Sequence, residues 1–383
     1  MNSGRQTLFR RMLIMNARQR FLAIMRFEQP DRGYNWELPL WEQTFDRWYK
    51  EGMPRDVHIG DLMLGNEFFG LDRMGYLQLA PVTPMPEFEE EIFEEDDQYI
   101  VMRHANGIVT RLLKEGMSRG MRMSMDQYLS FPVTDRTSFN EMKKRFNPHS
   151  PRRYPPWWED TCRCLRGRDY PLALTPNGAF GLYSLLRAWM GTENACTVFY
   201  DDPALAHDML DFMVDYFFEL IPRALEDVDA DYFNFFEDFA YNAGPLIGPN
   251  IFRKFLLPRY KKITGLLRSK GIQHIWLDSD GNTEVLIPLF IEAGITTHWP
   301  LERASNMDPL KIRQTYGRDL CLAGGIDKRA LAKGKRAIEE ELYHHVPQLL
   351  ESGGYIPTVD HAVPPDVSYE NFLYYLELKK KLL

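Results

Sequence analysis

From residue 171 onward, short apolar runs alternate with longer amphipathic stretches. The runs occupy 172–175, 232–236, 274–277, 295–298, 320–323 and 355–359. The stretches between them start near Pro203, Pro249, Thr283, Pro309, Asp327 and Ser368. Short apolar runs alternating with helical patterns form parallel strands joined by crossover helices. Six such units, with one or two more upstream, approach the eight of a closed barrel. The expected fold is α/β: a (β/α)8 TIM barrel over residues 16–383, with an N-terminal helical and β-hairpin elaboration and a short extension at 1–15.

The first third of the chain is less regular. Residues 16–26 put Phe21, Leu22 and Met25 on one face, with Arg18, Gln19 and Arg26 around it, so a packed helix is expected there, ended by Pro30. Trp36, Leu38, Pro39, Leu40 and Trp41 mark a candidate first strand and its exit. Two β-rich runs flank Asn106-Gly107 within 99–113. Both turn positions of such a hairpin need positive φ, which Asn and Gly tolerate. This hairpin is expected outside the barrel. Residues 87–97 hold eight acids in eleven positions and read as a solvated face.

Composition narrows the classes. Hydrophobic residues make up 44% and charged residues 26% of 383, which suits a globular chain. A net charge of −8 argues against nucleic acid as a partner. No apolar run is long enough to span a membrane. Four cysteines without a CxxC pair read as reduced thiols, so a cytoplasmic location is expected. The first 27 residues carry six arginines and no acid. That pattern fits either a transit peptide or an extension leading into the first helix.

Chemistry gathers where the runs end. Asn177 follows the first, and Glu237 and Asp238 the second. Asp278, Ser279 and Asp280 follow the third, and His298 and Glu302 the fourth. Asp327 follows the fifth, and Asp360 and His361 the sixth. In a barrel these positions form the C-terminal rim, where active sites sit. Six decorated ends fit a ring better than the single switch point of an open sheet. Asp278 and Asp280 either hold a metal or share a proton, or Asp280 caps the next helix. Glu237 leaves an aromatic run, so its carboxyl is either raised by burial or paired with an arginine. His344 and His345, beside Glu339, Glu340 and Glu341, read as surface residues.

Several of these segments together resemble the uroporphyrinogen decarboxylase superfamily from about Asn16 to Leu382. They are Arg18-Gln-Arg-Phe-Leu-Ala23, Glu237-Asp238-Phe-Ala240, residues 249–260, Asp280-Gly-Asn282, Pro300-Leu-Glu302, Gly324-Gly-Ile-Asp327 and His361-Ala-Val-Pro-Pro-Asp366. The resemblance implies a (β/α)8 barrel. Authentic decarboxylases carry an arginine-containing N-terminal segment that grips propionates. Here Trp36-Glu-Leu-Pro-Leu-Trp-Glu-Gln43 has none. The cobalamin-dependent methyltransferase branch is therefore the nearer one. Its zinc motif, His-x-Cys-Gly-Asn, falls on Asp278-Ser-Asp280-Gly-Asn282, and its distant cysteine falls on His361.

That resemblance implies zinc at Asp278, Asp280 and His361, with Glu237 or His361 as acid. Asn177, His298, Glu302, Asp327 and Asp360 are expected around the substrate. A small methylated donor, a methoxylated compound included, would pass its methyl group to a corrinoid supplied by a partner protein. A homodimer is left open. The alternative is a metal-free decarboxylase acting on a tetrapyrrole or another carboxylated substrate. A non-catalytic ligand-binding barrel is a third reading.

Overall fold

The structure is a computed structural model. It describes residues 14–56, 62–79, 82–115, 117–118, 121–122, 126–154, 156–176 and 180–383. The strands used below are β1 (Gly75–Leu79), β2 (Glu91–Glu95), β3 (Tyr99–Arg103), β4 (Val109–Leu113), β5 (Gln127–Ser130), β6 (Leu172–Pro176), β7 (Tyr232–Phe236), β8 (His274–Asp278), β9 (Thr297–Trp299), β10 (Cys321–Ala323) and β11 (Tyr355–Ile356). The helices are α1 (Ala17–Met25), α2 (Glu42–Lys50), α3 (Leu182–Met190), α4 (Leu257–Ser269), α5 (Ile287–Glu292), α6 (Lys328–Lys333), α7 (Lys335–Ser352) and α8 (Tyr369–Leu382).

Among the described residues, β1, β6, β7, β8, β9, β10 and β11 form one curled parallel sheet of seven strands in chain order. The expected eighth strand near residue 36 is not part of this ladder, so the sheet is a half-barrel rather than a closed ring of paired strands. Residues 34–40 instead run extended along the gap. Asp72 N donates to Asn35 O (2.7 Å) on one side, and Val363 N donates to Pro39 O (3.0 Å) on the other. The local sequence explains the irregularity. Pro39 has no N–H to give. The Glu37 carboxylate takes the Val359 N–H (3.1 Å) that a strand carbonyl would otherwise accept.

Register decides which side chains face inward. Asp278 pairs with Phe236 and Trp276 with Asn234, while Asp278 and Trp276 also pair with Trp299 and Thr297. These residues share the concave side, because alternate strand residues point to opposite faces. Trp36 fills that side, with its ring 6.2 Å from Trp276 and 5.7 Å from Trp299. Trp299 Nε1 donates to Asn234 Oδ1 (2.9 Å), which satisfies a buried donor. Residues of the other parity, such as Leu277 and His298, face the helices.

The lower end of the sheet is stopped by α1. A capping box at Asn16 and Gln19 starts the helix. Phe21 reaches Tyr232 and Trp276, with ring separations of 5.1 and 5.8 Å. Arg18 pairs with Asp231, and Arg20 with Asp31 and Asp72. With this end stopped, the upper, C-terminal end is where the strand-end residues gather.

The expected hairpin is present as β3 and β4, and Gly107 in its turn has φ 88°. With β2 and β5 it makes a separate antiparallel sheet of four strands. The acidic run supplies β2, whose residues are all exposed. The two adjacent histidines differ from expectation. His344 is exposed, but His345 is only 1% exposed, because it lies on the inward side of α7 with Leu342, Val346 and Leu349. Among the described residues, no helix is long and apolar enough to cross a membrane.

Candidate functional site

The chain leaves β8 at Asp278 and turns at Gly281, whose φ is +77°. A Cβ there would lie 2.4 Å from Ala240 O, so only glycine fits. The turn is pinned twice. Gly281 N donates to Glu302 Oε2 (3.0 Å), and Asn282 N donates to Tyr241 O (2.7 Å). This sets Asp280 beside His361, with Oδ2 and Nε2 3.2 Å apart. Glu302 arrives from the end of β9, and His361 from beyond β11.

One ligand atom from each of Asp280, Glu302 and His361 lies within 4.8 Å of the other two. The hydrogen bond to Asp280 raises the imidazole of His361 above its usual range, against the lowering effect of burial. Lys328 Nζ stands 3.4 Å from both Glu302 Oε1 and Asp360 Oδ1. Glu302 is therefore fixed at one oxygen by a backbone N–H and at the other by an ammonium. Asp280 and His361 stay about one third exposed, at 38% and 32%. A reactant from solvent can reach them.

The structure places the other expected residues differently. Asp278 lies outside the set of three, and Glu302 takes the corner expected for it. The carboxyl of Asp278 faces the concave side, in register with Phe236. Burial holds it well above the usual carboxylate range, helped by Asp280 and Asp238. Glu237 is fully buried. It accepts Tyr183 N (3.1 Å), Ser184 N (2.7 Å) and the Tyr260 hydroxyl. It thus closes the N-terminus of α3 against α4, and burial pushes it up to about 7. His298 has outward parity and lies among Phe290 of α5 and Thr283, with Nε2 2.7 Å from Thr283 Oγ1. Burial lowers it to about 4, so it is neutral.

Asp327 caps α6, accepting Arg329 N (2.8 Å). Asp360 accepts Arg303 N (2.9 Å) and Lys328 N (3.1 Å), tying two rim loops together. Asn177 lies outside the described residues. Two cations escaped the sequence reading, Lys328 and Arg187. Arg187 pairs with Asp238 at 3.2 Å. Lys328 left one signal: it opens a helix, where a cation opposes the helix dipole and needs another reason to be there.

The geometry can bind a divalent cation between two carboxylates and an imidazole. It can also hold one proton between His361 and Asp280. Comparison with known proteins now supplies the family. No curated protein matches the chain significantly. A solved methyltransferase from Methanosarcina mazei shares the fold, with a TM-score of 0.58 at 14% identity over 96% of this chain and 99% of that one. The family model described as uroporphyrinogen decarboxylase (URO-D) matches residues 105–382, which include every rim residue above. The chain belongs to the uroporphyrinogen decarboxylase family.

Proposed function

We propose that the protein is a methyltransferase of this family. It takes a methyl group from a small methylated donor and delivers it to a corrinoid carried by a separate protein. Zinc would be held by Asp280, Glu302 and His361. The observation that carries this reading is the convergence of those three side chains within 4.8 Å at the upper ends of the strands.

The donor set fits the ion. Three protein ligands that leave a position free are what a catalytic zinc site requires. Two carboxylates and an imidazole form a hard set, suited to an oxygen-bearing group rather than a thiol. Asp238 and Asp278 stand beside the three; burial first, and then the neighbouring acids, raise both above the usual carboxylate range, and a cation there would favour their charged forms. When bound, the metal supplies Lewis-acid polarisation of the donor's heteroatom.

The chain's own residues do the rest. Gly281 and Lys328 hold Glu302 in one orientation, so little reorganisation is needed at the moment of reaction. Trp36, Trp276 and Trp299 wall the concave side and exclude water from it. The exposure of Asp280 and His361 leaves room for a cofactor that arrives on another protein.

A decarboxylase reading draws on one observation: the hydrogen bond to Asp280 raises the proton affinity of His361, and an imidazolium can donate to a carbanion. The rim counts against it. Asp238, Asp278, Asp280 and Glu302 face the same opening, and Arg187 and Lys328 are already paired with acids. A polycarboxylate would meet repulsion there.

The test is elemental analysis of protein purified without chelator, beside methyl transfer to reduced cobalamin in solution. About one zinc per chain is expected. It should be lost together with transfer in Asp280→Asn, Glu302→Gln and His361→Ala. Wild-type protein that takes up no metal and shows no metal-dependent transfer overturns the proposal.

A further inference from the structure

A cavity of about 610 Å³ opens between α3 and the antiparallel sheet. We infer that it binds a cationic small molecule with an apolar body. If the protein transfers methyl groups as proposed above, that molecule is the donor, an oxygen-bound methyl group on a body that also carries a cationic amine. The binding itself does not depend on that reading.

Position is the first argument. Phe236, the last residue of β7, lines the cavity and is 37% exposed. It is paired in register with Asp278. Paired strands lie about 5 Å apart, so the Phe236 edge of the cavity lies one strand from Asp278. Size is the second. Small-molecule sites commonly enclose about 300–1,000 Å³, and this cavity falls in that range.

The lining is the third. Leu185 and Trp189, one turn apart on α3, make an apolar floor with Met142. The polar side carries Glu87, Glu90 and His104, and among the described residues no lysine or arginine lines the cavity. The Glu87 carboxylate has a 3.4 Å contact to the exposed side chain of Arg152, and its backbone oxygen accepts from Arg145 Nη1 (3.0 Å). Glu90 has no ion pair among the described residues. His104 is held by Thr110, with Nε2 2.7 Å from Oγ1, so its ring is not free to swing toward a ligand. Among the described lining residues an anion finds no lysine or arginine, while a cation finds the carboxylates of Glu87 and Glu90 above an apolar floor. Charge complementarity of this kind selects between ligands of one shape.

The probes are benzyltrimethylammonium, benzyl alcohol and phenylacetate, titrated calorimetrically into metal-free full-length protein. The cation is expected to bind most tightly and the anion least. Glu87→Gln with Glu90→Gln should weaken the cation roughly tenfold, as two partly exposed charge contacts, and leave benzyl alcohol unchanged. Ala188→Trp, at an exposed position of α3 that faces the cavity, should abolish binding of all three. Circular dichroism checks that each variant folds. Equal affinity for phenylacetate, or an unaltered cation affinity in the double glutamine variant, overturns the inference. Cation binding without methyl transfer counts against the transferase reading alone. Transfer from another donor without cation binding counts against the cavity alone.

Discussion

Replacing Glu237 by glutamine separates a structural carboxyl from a catalytic one. In the native chain this group is fully buried and receives two backbone N–H groups and the Tyr260 hydroxyl. Burial dominates and raises it from 4.5 to about 7. A tenfold change in proton affinity is worth about 1.4 kcal/mol, so the displacement corresponds to about 3 kcal/mol. The folded state holds the proton more tightly than the unfolded chain does. The associated stability is therefore complete below pH 4.5 and is lost as pH rises through about 7. Glutamine keeps the shape and cannot ionise. Urea unfolding at pH 5 and pH 8 measures the effect. Wild type should lose about 2.5 kcal/mol more than Glu237→Gln between the two values, because some of the effect is already lost at pH 5. Methyl transfer at pH 6 should be nearly unchanged in the variant. Parallel pH dependence in the two proteins, or loss of turnover without loss of stability, would refute the reasoning.

Further substitutions probe the frame around the rim. Lys379 and Glu37 are both fully buried, and Lys379 Nζ also reaches Trp36 O at 2.9 Å. Lys379→Met strands the Glu37 carboxylate and should cost about 3–5 kcal/mol in chemical denaturation, with partial recovery when Glu37→Gln is added. Gly181 lies where a Cβ would come within 2.0 Å of Phe236 O and 2.5 Å of the Glu237 carboxyl carbon. Gly181→Ala should destabilise by at least about 2 kcal/mol, whereas Gly265→Ala, in α4 with nothing nearby, should raise the melting temperature slightly.

The strands were legible because their apolar runs are short and bounded. The run at 232–236 coincides with β7, and that at 274–277 stops one residue short of β8. The rim was legible as a set of positions, since polar residues follow each run. Its internal arrangement was not. Whether His298 faces the opening or the helices depends on one-residue parity, which only the pairing of Leu277 with His298 settles. Glu302 enters the group of three through backbone that the sequence does not announce, with Leu301 at φ +62° and Gly281 at +77°. Glu237 stands at a strand end yet turns to a helix N-terminus, a partner 53 residues earlier in the chain. The candidate first strand at 36–41 does not join the ladder. Pro39 and the inward carboxylate of Glu37 keep it out.

The seam across that gap has a consequence for the order of folding. Trp36, Glu37, Thr44 and Trp48 are buried, and they find their partners in Lys379, Thr358, Val363 and Val367. These contacts span more than 300 residues. During synthesis the early segment leaves the ribosome long before its partners exist. Two tryptophans and a carboxylate destined for a dry interior must wait in water. Such long-range closure is slow, because a large loop must be ordered before its contacts return anything. The seam is thus the last part of the sheet to close, and the species that precedes it exposes apolar surface at both ends of the gap. Edges of this kind associate between chains. Refolding yield should therefore fall with protein concentration, whatever the stability of the finished fold.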